Sequence, residues 1–276
     1  MTSYFVLTKI TICFPCAIRY EGFIIYDIMK DQILKKLKEV ELQYNVEILF
    51  AVESGSRAWG FSSPDSDYDV RFVYKRKMEI YLSLWDSKDS IEFMTEDDLD
   101  GSGWDLKKAT LLLAKSNASF LGWLFSPIVY INRGGTLEAM KQLAKENFNP
   151  TAVFYHYHSM NKGFCDKLEL KDLKLKAFFY AARTAFCANW ILKNKTVPPV
   201  LFQDLYALID KEGVQLLNDL IARKAKTNES GFSAIDDRLI ALVKEMVLEN
   251  NNQKHSIQSK KASAEDFDRF FINELS

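Results

Sequence analysis

Charge imbalance, long apolar runs and a cysteine framework are all missing from this 276-residue sequence. Thirty-six Lys and Arg stand against thirty-seven Asp and Glu, a net charge of −1. That excludes a protein gripping nucleic acid through its whole surface and leaves room for a local basic patch. Eleven Gly and six Pro exclude a collagenous or disordered chain. Four cysteines make no disulfide scaffold. Cys13-Phe14-Pro15-Cys16 has C-x-x-C spacing, but no second pair stands at zinc-ribbon distance, so it reads as small buried hydrophobes. His156 and His158, two apart on different helix faces with no third ligand near, make no zinc site. No apolar run reaches the ~18 residues of a spanning helix. The N-terminus lacks a basic start and a small-residue cleavage site. The expectation is a cytoplasmic protein with no membrane partner.

What is present is a globular composition, 48% hydrophobic and 26% charged, long enough for one large domain or two smaller ones. Residues 1–28 are apolar, aromatic and without a clean period, and the texture changes at Met29. We expect 1–28 to be a dispensable extension, not part of the working protein, and an amphipathic first helix to start at Met29 on Ile33, Leu34, Leu37 and Val40. Val46–Val52 reads as a strand, Arg57–Phe61 as a short helical turn, and Ser62–Ser66 as a loop. Tyr68–Tyr74 reads as a second strand, with Val70, Phe72 and Tyr74 on one face and Asp69, Arg71 and Val73 on the other. From Glu79 to Asp105 nine acidic residues face one Lys, mostly a solvated surface. A helix is expected over 104–114, another over 136–147, and only helices beyond Pro150, near 152–168, 170–194, 201–224 and 264–275, with Glu249–Lys261 as a mobile loop. The expected domains are 29–150, α+β, and 151–276, all helical.

The residues that carry chemistry lie between the two strands. Gly55 lets backbone approach a phosphate without a Cβ in the way, Ser56 adds a hydroxyl, and the helical turn offers free N–H groups. Asp67 and Asp69, two apart on an extended strand, aim both carboxylates to one side. Paired hard oxygen anions suit Mg²⁺, which shares its octahedral shell with a triphosphate. A phosphate cradle facing such a pair is what phosphoryl or nucleotidyl transfer requires, although turn chemistry alone also accounts for Asp65-Ser66-Asp67.

Gly55-Ser56-Arg57-Ala58-Trp59-Gly60-Phe61 with Asp65-Ser66-Asp67-Tyr68-Asp69-Val70-Arg71 resembles the signature of the DNA polymerase β-like nucleotidyltransferase superfamily. More narrowly, the chain resembles the RNA-ligase-associated polymerase family of predicted nucleotidyltransferases. Gly103-Trp104-Asp105-Leu106-Lys107-Lys108-Ala109, Lys115-Ser116-Asn117, Trp123-Leu124-Phe125-Ser126-Pro127 and Pro198-Pro199, after a helix containing Arg183, fit the same family. The likeness runs from about Met29 to near residue 230.

The resemblance implies a small mixed sheet with flanking helices, followed by a helical domain walling a cleft. It implies transfer of a nucleoside monophosphate from an NTP to an acceptor hydroxyl, with two Mg²⁺ ions (Mn²⁺ being the alternative) on Asp67, Asp69 and a third carboxylate. Glu92, Asp97, Asp98, Asp100 and Asp105 compete for that third place. Asp100 is preferred, just before a Gly101-Ser102-Gly103 turn, with Asp105 as runner-up. Gly55, Ser56, Arg57 and Lys108 are the candidate phosphate contacts. Residues 151–195 carry eight Lys and Arg against three Asp and Glu, of which Lys176 and Arg183 share a helix face and would close over the nucleotide. Lys167, Lys171 and Lys174 occupy another face, read as solvated or as meeting a nucleic-acid acceptor. Trp59 is the tryptophan placed to touch a nucleotide. The acceptor is an RNA or DNA end, a protein hydroxyl or a small molecule; a non-catalytic nucleotide sensor is the alternative.

Overall fold

Among the residues that the computed structural model describes (14–96, 98–169, 173–228 and 234–276), five strands form one mixed sheet. They are β1 (Glu47–Glu53), β2 (Tyr68–Lys75), β3 (Ser90–Met94), β4 (Leu99–Asp105) and β5 (Val129–Asn132), in the order β3-β4-β2-β1-β5. β2 and β4 are parallel, and the other neighbouring pairs are antiparallel. Residues 1–13, Cys13 among them, Asp97 and Lys171 lie outside the described residues.

Alternation along β2 fixes which layer covers which face. Val70, Phe72 and Tyr74 are buried against Ile33, Leu37 and Val40 of α1 (Phe14–Tyr44). Val73 points the other way, into a core shared with α4 (Leu106–Ala114), α5 (Ala118–Leu124) and α6 (Thr136–Glu146). Asp69 and Arg71 continue the Val73 row beyond the edge of that core. The first helix does not start at Met29 but extends back to Phe14. Pro15 falls at its first turn, where a missing N–H costs nothing.

The expected turn at Gly101-Ser102-Gly103 is instead the middle of β4, and α4 starts at Leu106 rather than Trp104. The glycines are there for space. A Cβ at Gly101 would lie 2.0 Å from the Phe93 ring, and one at Gly103 2.0 Å from the Phe72 ring. Asp105 ends the strand and caps α4, accepting from the Lys107 N–H at 2.9 Å. β3 also lies within the acidic stretch expected to be mostly a solvated surface.

Beyond residue 150 the described chain is helical: α7 (Pro150–Cys165), α8 (Leu175–Asn194), α9 (Lys211–Lys224), α10 (Asp237–Gln253) and α11 (Ala264–Leu275). A tight turn over Phe202–Leu208 separates α8 from α9. α8 is the central rod, and Phe61 from the loop before β2 is built into its core beside Phe179 and Phe202. α10 runs into the segment expected to be a mobile loop, because Asn250, 3% exposed, donates to the Ala185 carbonyl at 3.0 Å. α11 returns to the sheet, placing Phe267 in the α4–α6 core and accepting from Lys75 Nζ at the Glu274 carbonyl, 3.1 Å. No helix among the described residues is long and apolar enough to cross a membrane.

Candidate active site

The site lies at one end of the sheet, where β1 leaves it and β2 and β4 enter. In the parallel β2–β4 register Asp69 stands opposite Asp100. Arg71, one strand-face step along from Asp69, donates from Nη2 to both carboxylates, at 2.7 Å to Asp69 Oδ1 and 2.8 Å to Asp100 Oδ2. Asp67 is exposed just before β2. Burial raises the Asp69 pKa; Arg71 counters it, Asp100 and Asp67 add to it, and Lys176 on α8 lowers it. Asp67, Asp69, Asp100 and Lys176 therefore share one electrostatic neighbourhood, although they come from two strands, the loop before one of them and a helix.

The Gly-Ser turn closes over this row. The five-residue helix α2 (Gly55–Trp59) follows β1, with Gly55 at φ +61°. A Cβ at Gly55 would lie 1.9 Å from Asp69 Oδ2, so only glycine lets the two approach as they do. The Ser54 N–H donates to the Asp69 carbonyl at 2.8 Å, tying the turn to the carboxylate strand.

Beneath Asp69 sits a residue that the sequence did not single out. Glu53, at the end of β1, is 0% exposed. Its Oε1 accepts the Asp69 N–H at 2.8 Å and its Oε2 accepts the Tyr130 hydroxyl. Its carbonyl accepts from Ser126 Oγ at 2.6 Å. Burial pushes its carboxyl up to about 7; Tyr130 and the Asp69 N–H oppose the shift, and the Asp69 charge adds to it. The available signal was a lone acid closing an otherwise apolar strand. Arg71 had a clearer one, since the two-residue period put it on Asp69's face.

The remaining candidates scatter. Arg57 is committed to backbone, donating to the Ser66 carbonyl at 2.6 Å and the Asp67 carbonyl at 3.1 Å while covering the Tyr68 ring at 3.8 Å. It shapes the loop that presents Asp67 rather than standing free for a phosphate. Lys224 of α9, 2% exposed, holds the same loop by donating to Ser63 Oγ at 2.7 Å. Lys108 is at the wrong end of the sheet: Asp105, just before its helix, pairs with Tyr74, ~17 Å along β4 from Asp100 at 3.3 Å per residue. There Lys108 bonds Asp89 at 2.9 Å, and Asp105 accepts the Tyr81 hydroxyl at 3.1 Å. Asp98 sits at a left-handed turn (φ 56°) and Glu92 on the edge strand β3. Arg183 is 5% exposed and lies under Trp59, 4.8 Å from its ring centre, rather than out beside Lys176.

No group of three or more His, Cys, Asp or Glu among the described residues forms a ready metal cage; Arg71 bridges Asp69 and Asp100. The donor chemistry nevertheless fits a hard divalent cation: carboxylate oxygens only, two of them already brought together and compensated by one arginine.

A family model described as the RNA repair pathway DNA polymerase beta family matches residues 29–273. The uncharacterized protein YcgL of Bacillus subtilis (strain 168) is 43% identical over 211 residues, which is 75% of this chain and 80% of that protein. A crystal structure of a nucleotidyltransferase-like protein from Exiguobacterium sibiricum 255-15 aligns with 79% of this chain and 73% of its own at 15% identity, with a TM-score of 0.31. The family match takes in every strand of the sheet and all of the carboxylate row, and on that extent the chain belongs to the RNA repair pathway DNA polymerase beta family.

Proposed function

We propose that the chain is a metal-dependent nucleotidyltransferase that moves a nucleoside monophosphate from an NTP to an acceptor hydroxyl. The observation that carries this reading is the Asp69–Asp100 pair, aligned by strand register and closed over by Gly55. Asp67, Asp69 and Asp100 would hold Mg²⁺, which when bound neutralises phosphate charge and lowers the acceptor hydroxyl's pKa. Gly55 and Ser56 would seat the outer phosphates, and Lys176 adds the positive charge already felt at Asp69. Arg71 keeps two adjacent carboxylates compensated before any cation arrives. In the reaction the acceptor oxygen bonds to the α-phosphorus, the bond to the bridging oxygen breaks, pyrophosphate leaves with that electron pair, and Asp100 takes the hydroxyl proton. Glu53 and Tyr130 position the Asp69 backbone.

An RNA end is the acceptor that the family's description favours. The test incubates the full chain with Mg²⁺, each of four α-labelled NTPs, and a pool of RNA ends and cell protein. Label on RNA, absent with Asp67→Asn, supports the whole reading. Label on protein keeps the transfer and changes the acceptor. No label with NTP still bound turns the reading to a nucleotide sensor.

A further inference from the structure

Behind the Gly-Ser turn, between Trp59 and α8, lies a cavity of about 140 Å³ whose walls include Ser54, Ser119, His156, Tyr180 and Arg183. Its size is well below the roughly 300 Å³ at which pockets take a whole small molecule. It suits one group of a larger ligand. None of its lining residues is acidic.

Arg183 is the anomaly. An arginine only 5% exposed normally has a carboxylate or a full set of acceptors. This one has neither among the described residues, and its Nη1 is buried without a hydrogen-bond partner. Its visible compensation is the Trp59 face at 4.8 Å. Tyr157 and Cys187, the titratable groups felt near it, are kept protonated by burial and supply no negative charge. His156, half-buried in the same wall, has its pKa lowered by burial and adds a neutral imidazole. A desolvated cation with an unused donor, in a cavity lined by hydroxyls and no acids, is built for an anion.

We propose that this cavity binds a phosphoryl group, with Arg183 as its principal ligand. The choice of phosphate rests on the nucleotidyltransferase reading; the anion site itself does not. Ser54 forms part of the cavity wall and bonds through its N–H to the Asp69 carbonyl at 2.8 Å. Arg183 lies seven residues along α8 from Lys176, ~10 Å at 1.5 Å per residue, and is buried where Lys176 is exposed. Two sources can place a phosphoryl there: the terminal phosphate of an NTP whose α-phosphate faces Asp69, or the phosphorylated end of the acceptor.

The experiment compares wild type, Arg183→Met and Arg183→Lys by calorimetry, without turnover. The probes are inorganic tripolyphosphate, ATP, ADP, and one short RNA with and without a terminal phosphate. Arg183→Met is expected to bind its phosphate-bearing probe about 10- to 100-fold more weakly, with Arg183→Lys in between. Loss of the preference for ATP over ADP identifies the nucleotide's end as the source; loss of the preference for the phosphorylated RNA identifies the acceptor's. Melting of the ligand-free proteins supplies a second readout. An uncompensated binding cation predicts that Arg183→Met melts no lower than wild type.

Unchanged affinity for every probe overturns the proposal, and so does a large drop in melting temperature for both variants, which marks a structural cation. Phosphate binding that depends on Arg183 in a protein that transfers no label leaves this site standing and removes the enzyme reading. Label transfer with affinities indifferent to Arg183 does the reverse.

Discussion

Two buried glutamates at opposite ends of the sheet, Glu41 and Glu53, are compensated in opposite ways. At the far end Glu41 accepts the Ile48 N–H at 2.9 Å and also pairs with Arg133 and Lys38. Burial pushes its carboxyl up, but those partners outweigh burial and hold it below its ordinary value. At the near end Glu53 has a hydroxyl and an N–H but no paired cation, and burial wins. Asp69 is likewise raised despite Arg71, and Arg183 Nη1 has no hydrogen-bond partner among the described residues. Glu41 is satisfied internally and locks α1 to the sheet, although Asp105 at that end is also raised by burial and Arg76 Nε there is buried without a hydrogen-bond partner. Around Glu53, Asp69 and Arg183 the groups short of partners lie together, which costs stability and makes sense where ligands supply the missing charge.

The largest break in that comparison is Asp69→Asn. Transfer should fall by about a thousand-fold or more, the several kcal/mol expected when a metal-holding carboxylate is lost, while the melting temperature stays near wild type. A loss of only a few-fold would remove the near end as the reacting site.

Next in size is the pH signature of Glu53, read on metal-free protein by denaturant unfolding. Its folded pKa, about 7, lies above the ordinary 4.5, so folding takes up a proton between those values. Its contribution to stability is complete below pH 4.5 and is lost as pH rises through 7, by at most about 3 kcal/mol. Glu53→Gln should match wild type in acid and exceed it above pH 7. A variant less stable than wild type at pH 8 would show that the carboxylate is held ionised in the fold.

The two ends also differ in how far they could be read from sequence. The Gly-Ser turn and the place of Asp69 on its strand are legible because local geometry makes them, a left-handed glycine and a two-residue period; Asp67 lies just before β2, outside that period. Asp100 could be named only among five acids, since what separates it from Asp98 and Asp105 is pairing across thirty residues of chain. Lys108 was misplaced because Gly101 and Gly103 look like a turn when the Phe93 and Phe72 rings that require them are not in view. Reading a strand there moves everything after it to the far end. Glu53 and the burial of Arg183 depend on packing between separate elements, which no local pattern records. A direct check is Gly103→Ala, whose Cβ would overlap the Phe72 ring; about 2 kcal/mol of stability should be lost, measured by denaturant unfolding. A neutral result would mean that β4 does not pack as described.

The smallest effect sharpens the comparison from the far end. Glu41→Gln should cost about 1–2 kcal/mol at neutral pH: a charge-assisted acceptor is weakened, but Arg133 is 41% exposed and water screens much of the pair. Because the folded pKa of Glu41 lies below 4.5, its stabilisation is present above that value and is lost as pH falls through the folded one. Wild type and variant should therefore differ at neutral pH and converge in acid. Glu53→Gln should likewise converge with wild type in acid, but it lies above wild type at neutral pH where Glu41→Gln lies below. If both variants lay below wild type at neutral pH, Glu53 would be held ionised like Glu41 and the two would not differ in charge compensation. Nothing in Glu53 would then mark the near end as a place waiting for a ligand.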